Sequence, residues 1–263
     1  MKKNISCVIQ ARMGSSRLPG KILLNGYDKP LLIHLLERIK KSKKIDKIIV
    51  ATSKNKLDDI IFDLCKKNKT EVFRGDEKNV LSRYFNCAKK YKISTIVRIT
   101  SDCPLIDHTI IDKMIQKYEI GNYDFYGNTH PATFPDGYDI EIFSFQALKK
   151  SFYNSKNNFQ KEHVTPFIWD NPDKFLIGNY KNKKGNLHNH YRLTLDFIED
   201  YYLIFFIFNY FYPKKNSFKL DDIISFLKKN KKMMQINRKF IKVNWYSKYL
   251  KDLKTISEKD TKL

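Results

Sequence analysis

Residues 5–21 read Ile-Ser-Cys-Val-Ile-Gln-Ala-Arg-Met-Gly-Ser-Ser-Arg-Leu-Pro-Gly-Lys, a short apolar run followed by a basic segment that contains glycine. The apolar run predicts a buried strand, Ile5–Gln10. The segment after it combines two glycines, two serines, two arginines and a lysine. Backbone N–H groups in such a loop can point at phosphate oxygens while the cations supply charge. Because these cations follow a strand end, we interpret the loop as a polyphosphate site rather than as an ordinary basic surface loop.

The spacing of this loop differs from two common phosphate-binding motifs. It lacks the pattern G-x-x-x-x-G-K-S/T, because Ile22 follows Lys21, and it also lacks G-x-G-x-x-G. Dinucleotide binding is therefore disfavoured. Arg12 and Lys21 stand on either side of the glycine-serine turn, so both are placed to neutralise a triphosphate.

Strands and helices alternate through the first half of the chain. The hydrophobic pattern predicts further strands at Lys47–Thr52, Glu71–Phe73 and Thr95–Ile99, and helices from Pro30 and over Leu57–Lys67, Asn79–Tyr91 and Asp107–Tyr118. This alternation predicts a largely parallel, doubly wound α/β sheet. Right-handed crossovers then place the carboxyl ends of the strands on one edge, where ligands of open α/β sheets bind.

The second half has a different pattern. We predict strands at Tyr123–Asn128, Asp139–Phe143, Phe175–Tyr180 and Tyr191–Leu195, the last two as a hairpin across the turn 181–189. We predict helices over Ser144–Phe152, over 162–169 with a break at Pro166, and from Glu199 onward. These patterns give a main domain over residues 1–212, with an acceptor-binding insertion around 123–195. Residues 213–263 form a helical extension whose tail is expected to fray after about residue 252.

The formal net charge of +22 raises the question of nucleic-acid binding. The chain has 42 lysines but eight arginines, and the lysines are spread along its length. An even spread indicates a lysine-rich composition rather than a basic stripe, so nucleic acid is not the partner we expect. The arginines are more informative, because guanidinium is the better bidentate ligand for phosphate and carboxylate. Six of the eight lie in or near candidate site segments: Arg12, Arg17, Arg74, Arg83, Arg98 and Arg192.

Cysteine usage and hydropathy bear on the compartment. The four cysteines form neither a CxxC pair nor a metal-type cluster, which favours a reducing compartment. The first strand starts at Ile5, and we expect no signal peptide before it. The most apolar stretch, Tyr201–Tyr212, has twelve residues, too few to span a bilayer, and is predicted to be a buried helix. We therefore expect a cytoplasmic protein without a membrane partner.

Two aspartates follow predicted strands at the ligand-binding edge. Asp102 comes after Thr95–Ile99, and Asp196 comes after Tyr191–Leu195. Mg²⁺ takes one or two protein carboxylates together with phosphate oxygens and water, so this pair predicts a metal site beside the basic loop. The alternatives are structural: Asp102 as the cap of a turn and Asp196 as the N-cap of the helix that follows.

Further polar groups predict contacts with a second substrate. Asp136, Asp139 and Glu141 crowd one short segment and suit recognition of hydroxyl or amine groups; a Pro-Asp-Gly turn leading into an edge strand is the alternative. His163 could contact an acidic acceptor or carry a proton, or it could be structural. The segment Phe73–Asp76 could frame a base and ribose, or form a plain strand-end turn.

Taken in order, these segments resemble the cytidylyltransferase family that includes CMP-Kdo and CMP-acylneuraminate synthetases, and most closely its spore-coat polysaccharide biosynthesis type. The resemblance extends over about residues 4–212, and the first of its segments is the most specific. The matching segments are Ile9–Lys21, Phe73–Asp76, Arg98–Asp107, Phe134–Glu141, Glu162–Pro166 and Arg192–Asp196. One departure is the absence of the proline that usually follows the second aspartate, where this chain has Phe197-Ile198-Glu199-Asp200.

The resemblance implies a single Rossmann-like nucleotidyltransferase domain with a mostly parallel, mixed sheet flanked by helices. It implies CTP as the donor, Mg²⁺ held by Asp102 and Asp196, and catalytic roles for Arg12 and Lys21. The nucleotide would contact Ala11, Arg12, Gly14, Ser15, Ser16, Lys21, Arg74, Asp76 and Arg98. The acceptor, an acidic sugar or a related surface-glycan precursor, would contact Asp136, Asp139, Glu141, His163 and Arg192. Relatives are commonly dimers, so a homodimer is compatible with the resemblance.

Two other classes of function remain open at this point. A nucleotide-sugar-dependent glycosyltransferase would share the α/β fold, the metal and the nucleotide, but it would typically carry a D-x-D motif. Near a strand end, the only spacing of that kind is Asp139-Ile140-Glu141, which is not a close match. A non-catalytic nucleic-acid-binding protein would show affinity that depends strongly on salt and no nucleotide turnover.

Overall fold

The computed structural model describes residues 4–215, 217–241, 243, 249 and 251–253. Its strands are β1 Ile5–Gln10, β2 Lys47–Ser53, β3 Glu71–Gly75, β4 Thr95–Thr100, β5 Phe125–Gly127, β6 Glu141–Ser144 and β7 Ile177–Asn179. They form one sheet in the order β3-β2-β1-β4-β6-β5-β7. The predicted α/β class and mixed sheet are confirmed, because β6 pairs antiparallel with β4 and β5 while the other pairs are parallel.

Helices cover the sheet. They are α1 Leu31–Lys40, α2 Asp59–Lys67, α3 Val80–Lys90, α4 His108–Gly121, α5 Phe145–Asn154, α6 Asn158–His163, α7 Pro166–Trp169, α8 Ile198–Phe211, α9 Leu220–Lys229 and α10 Lys231–Met234. The central strand β1 is apolar on both faces, and Ile5 through Ile9 are buried. A strand with helices packed on both sides has no wet face, which is why β1 reads as a continuous apolar run.

The direction of β6 decides what reaches the ligand edge. The parallel strands β1 to β4 end at that edge, so the loops after Gln10 and Thr100 emerge there. Because β6 runs the other way, it begins at the same edge with Glu141, which pairs in register with Arg98 of β4. The sheet therefore brings the amino end of one strand and the carboxyl ends of its neighbours to a single site.

The predicted hairpin of Phe175–Tyr180 with Tyr191–Leu195 is wrong. Strand β7 pairs in parallel with β5, Ile177 opposite Phe125. The segment 191–195 is extended but joins no strand, because its amides bond to loops: Leu193 N–H to the carbonyl of Asp136 at 2.8 Å and Leu195 N–H to the carbonyl of Asp102 at 2.9 Å. Its one ladder contact is an isolated bridge between Asp136 and Arg192.

Two further predictions need correction in detail. Asp139 lies before β6 rather than within it, so Asp139 and Glu141 do not share a strand face. Helix α8 is buried on one side only, because every fourth residue along it is exposed: Ile198, Tyr202, Phe206 and Tyr210. The helix carries apolar or aromatic residues on every side, including the exposed one. The sequence pattern therefore could not show which face meets solvent.

The described part of the C-terminal extension, residues 213–263, packs against the main apolar core. Phe218, Ile223 and Leu227 are buried in the same cluster as the strands and α8. Arg38 of α1 fixes the start of this extension, donating to the carbonyl of Phe218 at 2.9 Å. Of the tail predicted to fray, residues 254–263 lie outside the described residues. No helix among the described residues is long and apolar enough to cross a membrane.

Candidate active site

A cavity of about 410 Å³ opens at the carboxyl edge of the sheet. Its walls come from the loops after β1 and β4, the start of β6, and helices α3 and α6. Residues of every predicted group line it, and they include Ala11, Arg12, Ser15, Ser16, Lys21, Arg98, Asp102, Asp136, Asp139, Glu141, His163 and Asp196. The sheet topology therefore brings together residues that are far apart in the sequence.

The loop after β1 is folded around the carbonyl of Met13. This oxygen accepts hydrogen bonds from Ser15 N–H at 2.9 Å and Gly20 N–H at 3.1 Å. Gly20 has φ +68°, a left-handed conformation that costs glycine little and lets the chain turn back toward Lys21. The carboxylate of Asp58 accepts from Met13 N–H at 2.7 Å and anchors the loop to the end of β2.

This fold leaves several loop amides available. Within the described residues, no acceptor lies within hydrogen-bond distance of the backbone N–H groups of Arg12, Gly14, Ser16 and Arg17. Free backbone amides in a turn can contribute to an anion site. The phosphate-binding interpretation of the loop stays a prediction, and Gly14 itself does not line the cavity.

Lys21 joins the loop to both predicted metal ligands. Its Nζ donates to Asp102 Oδ2 at 3.1 Å, to Asp196 Oδ1 at 2.9 Å and to the carbonyl of Leu195 at 2.6 Å. Burial alone would lower the pKa of Lys21, but the two carboxylates outweigh it and raise the pKa. Lys21 is therefore charged over the whole physiological pH range.

Asp196 is held ionised by three cations. Lys21 is joined by Arg17, whose Nη2 lies 2.8 Å from Asp196 Oδ1, and by Arg192, whose Nη2 lies 3.1 Å from Oδ2. Burial would raise the pKa of Asp196, but Lys21, Arg17 and Arg192 together lower it to about 2. Near neutral pH this carboxylate is a permanent anion.

The two aspartates are the pair predicted to hold a divalent cation. One oxygen of each accepts a hydrogen bond from the Nζ of Lys21, so the two carboxylates meet at one cation. The described residues contain no group of three or more His, Cys, Asp or Glu side chains that could hold a metal. A carboxylate pair without further protein ligands is the donor set Mg²⁺ uses when substrate phosphates and water complete its shell.

The structure also decides between the alternatives for these aspartates. Asp200, not Asp196, caps α8: its Oδ2 accepts from the N–H groups of Asp196 and Phe197, both at 3.0 Å. Asp102 accepts from Lys21 through its side chain, and its backbone carbonyl accepts from Leu195. Neither aspartate side chain is occupied by capping, so both remain directed to the cavity.

Arg98 and Glu141 form a buried ion pair on the cavity floor. Arg98 Nη1 contacts Glu141 Oε2, and Arg98 Nη2 donates to Gln10 Oε1 at 2.9 Å. The other carboxylate oxygen of Glu141 accepts from Thr165 Oγ1 at 2.7 Å. Burial would lower the pKa of Arg98, but Glu141 outweighs it and raises the pKa further. Arg98 is thus a permanent cation that is fixed against Glu141.

His163 lines the cavity beside Arg12 and Glu162. Burial, helped by the nearby charges of Arg98 and Arg12, lowers the pKa of His163 to about 3. The imidazole is therefore neutral near pH 7 and supplies no positive charge to an acidic acceptor. Arg12 Nη2 lies 3.7 Å from Glu162 Oε1, and both side chains are nearly half exposed, so this pair is loosely held.

Besides Gly14, three predicted site residues lie outside the cavity lining. Arg74 bonds to the carbonyls of Ser53 and Asn55 and to Asp59, and neither Arg74 nor Asp76 is among the cavity-lining residues. Arg192 is nearly fully buried and does not line the cavity either. Its guanidinium pairs with Asp136, Asp196 and Asp200. The substrate contacts predicted for these three residues stay predictions. Arg192 acts on the cavity only through the carboxylates with which it pairs.

Arg83 is among the cavity residues that were not assigned a role from the sequence. Arg83 of α3 is 1% exposed and lines the cavity. Its Nη1 donates to the carbonyl of Asp76 at 2.8 Å, its Nε has no partner, and no carboxylate of the described residues pairs with it. The available signal was its residue type, since arginine is rare in this lysine-rich chain.

The comparisons with known proteins show which family the chain belongs to. A sequence model described as cytidylyltransferase matches residues 6–242. An uncharacterized protein of Methanocaldococcus jannaschii is 40% identical over 230 residues, which are 88% of this chain and 93% of the relative. The spore coat polysaccharide biosynthesis protein SpsF of Bacillus subtilis is 34% identical over 203 residues, 75% of this chain and 83% of that protein.

A solved structure gives the same answer. The structure of a cytidylyltransferase from Leptospira borgpetersenii superposes with a TM-score of 0.83 at 39% identity, and the match covers 89% of this chain and 97% of that chain. Family model, relatives and solved structure thus all extend over most of the sequence, and the residues matched by the family model include the loop after β1 and both aspartates. The chain belongs to the cytidylyltransferase family.

Proposed function

We propose that this protein transfers a cytidylyl group from CTP to a sugar acceptor and releases pyrophosphate. The observation that carries the proposal is the convergence of Lys21, Asp102 and Asp196 within hydrogen-bond distance at the mouth of the loop after β1. The oxygen of an acceptor hydroxyl attacks the α-phosphorus and releases its proton to water, the bond from that phosphorus to the bridging oxygen breaks, and the electron pair leaves with pyrophosphate. Catalysis of this type depends on positioning and on electrostatic stabilisation of the phosphate oxygens.

The residues of the loop bind the triphosphate in this proposal. The amides of Arg12, Ser16 and Arg17 donate to phosphate oxygens, and the side chains of Arg12 and Lys21 offset the charge that gathers on the leaving group. Asp102 and Asp196 would hold Mg²⁺, which when bound supplies further charge neutralisation on the phosphates. Lys21 also keeps the two carboxylates together before the nucleotide arrives.

The acceptor is proposed to occupy the part of the cavity near β6. Asp136, Asp139 and Glu141 line this part and can accept hydrogen bonds from sugar hydroxyls. We propose an acidic sugar from the resemblance to the CMP-Kdo and CMP-acylneuraminate synthetases; Arg83, on the wall of the cavity near β3, lacks a carboxylate partner among the described residues. Neutral His163 is suited to accept or donate a hydrogen bond rather than to bind an anion.

We place the reaction in the cytoplasm. All four cysteines are free and buried, as suits a reducing compartment. Burial raises the pKa of Cys7 and Cys103, so neither thiol supplies a nucleophile for a covalent intermediate. Direct transfer to the acceptor oxygen therefore fits the site better than a two-step route through a thiol.

The test is a pyrophosphate-release screen of the four ribonucleoside triphosphates with Mg²⁺, against a panel of acidic, neutral and phosphorylated sugars. We expect release from CTP alone, and only when an acidic sugar is present. Release of pyrophosphate from CTP with a neutral sugar would contradict the proposed acidic acceptor but would still support cytidylyl transfer. Release of UDP from a UDP-sugar, with no pyrophosphate from CTP, would instead indicate a glycosyltransferase.

A further inference from the structure

We propose that Asn237, in the C-terminal extension, is a positioning residue that holds Asp196 in the orientation required for metal binding. The inference rests on the proposed role of Asp196 as a metal ligand. Asn237 contacts neither Asp196 nor the cavity directly, so it would act through Asp200 and Arg192. The extension would then be part of the active-site architecture rather than an appendage to it.

The first step is the pair of hydrogen bonds made by Asn237. Its side chain is 3% exposed, and its Nδ2 donates to Asp200 Oδ1 at 2.8 Å and to the carbonyl of Arg192 at 2.9 Å. One amide group therefore fixes both the backbone of Arg192 and the carboxylate with which the side chain of Arg192 pairs. Losing it would leave two buried acceptors without this donor, which is costly in a dry environment.

The second step is Asp200, which is fully buried. Its carboxylate binds Arg192 on two sides, from Nε to Oδ1 at 3.0 Å and from Nη2 to Oδ2 at 3.1 Å. The same Oδ2 accepts from the backbone N–H of Asp196 at 3.0 Å. Asp200 thus sets both the backbone position of Asp196 and the orientation of the Arg192 guanidinium.

The third step is the contact between Arg192 and Asp196. Arg192 Nη2 donates to Asp196 Oδ2 at 3.1 Å, while Lys21 and Arg17 hold Oδ1. Cations therefore orient both oxygens of Asp196. The cations at Oδ1 belong to the loop after β1, and the cation at Oδ2, Arg192, is held by Asp200 and Asn237. Residues that orient a metal ligand typically change metal affinity or activity by about 10- to 100-fold when they are removed.

The extension makes a second contact with the same arginine. The carbonyl of Val243 accepts from Arg192 Nη1 at 3.2 Å, and Val243 also lines the cavity. Tyr249 lines the cavity as well and packs against Phe159 of α6, with ring centroids 5.3 Å apart. The described residues of the extension therefore reach the site at more than one point.

The experiment measures the affinity of the full-length protein for Mn²⁺ in the presence of CTP, with bound Mn²⁺ counted by electron paramagnetic resonance. The variants are Asn237→Ala, Asp200→Asn and Asp196→Asn. Asn230→Ala is the matched control, because Asn230 lies in the same extension and donates to the carbonyl of Phe226 at 2.8 Å without contacting the site. Steady-state kcat and KM for CTP are measured on the same preparations.

We expect Asn237→Ala and Asp200→Asn each to weaken Mn²⁺ binding by about 10-fold, Asp196→Asn to abolish it, and Asn230→Ala to leave it unchanged. The double variant N237A/D200N should lose less than the product of the two single losses, since both residues act along one path. The KM for CTP should rise less than kcat falls.

Three outcomes would overturn the inference. Unchanged Mn²⁺ affinity in Asn237→Ala, or in Asp200→Asn if the alanine variant does not fold, would break the path to Asp196. If Asn237→Ala and Asn230→Ala weakened Mn²⁺ binding equally, any loosening of the extension would be enough to weaken it, and Asn237 would have no specific role. Unchanged affinity in Asp196→Asn would remove the metal assignment itself, and that failure of the proposed function differs from the first two outcomes.

Discussion

Lys21 Nζ lies 2.9 Å from Asp196 Oδ1, although the two residues are 175 positions apart in the sequence. The loop after β1 supplies the lysine, and the segment before α8 supplies the aspartate. Because Lys21 also binds Asp102, one cation holds two carboxylates that would otherwise repel each other. The site is therefore assembled before any substrate binds, and this pre-organisation is the property that the first predictions test.

Replacing Lys21 by methionine should lower the cytidylyl-transfer rate by at least 10²-fold. The change keeps most of the side-chain volume but removes the cation that offsets charge on the leaving pyrophosphate. One pre-organised electrostatic contact of this kind is worth about 2.7 kcal/mol or more of barrier. Single-turnover pyrophosphate release from CTP measures the effect. Lys184→Met, which removes an exposed lysine paired with Asp221, is the control. A Lys21→Met enzyme with the turnover of the control would refute the phosphate-binding role.

Replacing Asp102 by asparagine should lower turnover by about 10²-fold and raise the Mg²⁺ concentration needed for half-maximal activity. Asparagine preserves the shape of the side chain but removes the negative charge that a hard cation requires. Initial rates across a Mg²⁺ titration at saturating CTP measure both effects. Asp221→Asn is the control, since Asp221 pairs with Lys184 at the surface. Full Mg²⁺-dependent turnover in Asp102→Asn would show that the metal is bound elsewhere.

Much of the fold could be predicted from local sequence pattern. Strand β1 was predicted with its observed bounds, and α3 and α4 agree to within a few residues at each end. These elements follow from the periodicity of apolar residues, which is a local property. The failure at 191–195 has a non-local cause, because the amides of Leu193 and Leu195 bond to carbonyls 57 and 93 positions away. Such segments have the amino-acid composition of a strand, but they do not pair with a neighbouring strand of the sheet.

The candidate site was predictable to the extent that its residues follow strands. Lys21 and Asp102 were found from their positions after β1 and β4, because the carboxyl ends of parallel strands meet at one edge. Asp200 and Asn237 were given no role: Asp200 was noted only for the missing proline in its segment, and Asn237 neither follows a strand nor belongs to a recognised motif. Their importance comes from hydrogen bonds across 37 positions, which no local pattern reports. Arg74 is the opposite case, because its position at the end of β3 does not bring its side chain into the cavity lining, and its predicted nucleotide contact stays a prediction.

Replacing Glu141 by glutamine should reduce the free energy of unfolding by about 3–5 kcal/mol. Both side chains of the Arg98–Glu141 pair are largely buried, so the variant leaves the guanidinium charged and without its carboxylate partner. Glutamine keeps an oxygen that can accept from Thr165 Oγ1, which confines the change to the charge. Urea unfolding followed by circular dichroism measures the loss.

The double variant R98M/E141L is the informative control for this pair. It removes both charges and leaves apolar groups of similar size, so it should be more stable than Glu141→Gln alone. If the double variant were less stable than Glu141→Gln, the ion pair would contribute more to the free energy of unfolding than an unpaired Arg98 takes away.

The protein should lose stability as the pH falls from about 6.5 toward 4, in part because of His34. His34 is fully buried, with its ring 4.5 Å from that of Phe208 and 4.8 Å from that of Tyr212. Burial, together with Lys29, outweighs the opposing effect of Asp28 and lowers its pKa from 6.5 to about 4. In this range the unfolded chain binds a proton at this position and the folded chain does not, so the contribution is complete above pH 6.5 and is lost on acidification. The slope from one such group is at most about 1.4 kcal/mol per pH unit.

The measurement is the free energy of unfolding in urea at pH 7 and pH 5, for the wild type, His34→Gln and His190→Gln. Other groups, among them His163, contribute equally to all three proteins and cancel in the comparison. His34→Gln should be less stable than the wild type at pH 7, because a ring is lost from the aromatic cluster, but its stability should fall less between the two pH values. Since His190 is exposed, His190→Gln should keep the wild-type pH dependence. Parallel pH dependences in the wild type and His34→Gln would mean that the buried imidazole takes up its proton in the folded state as readily as in the unfolded chain.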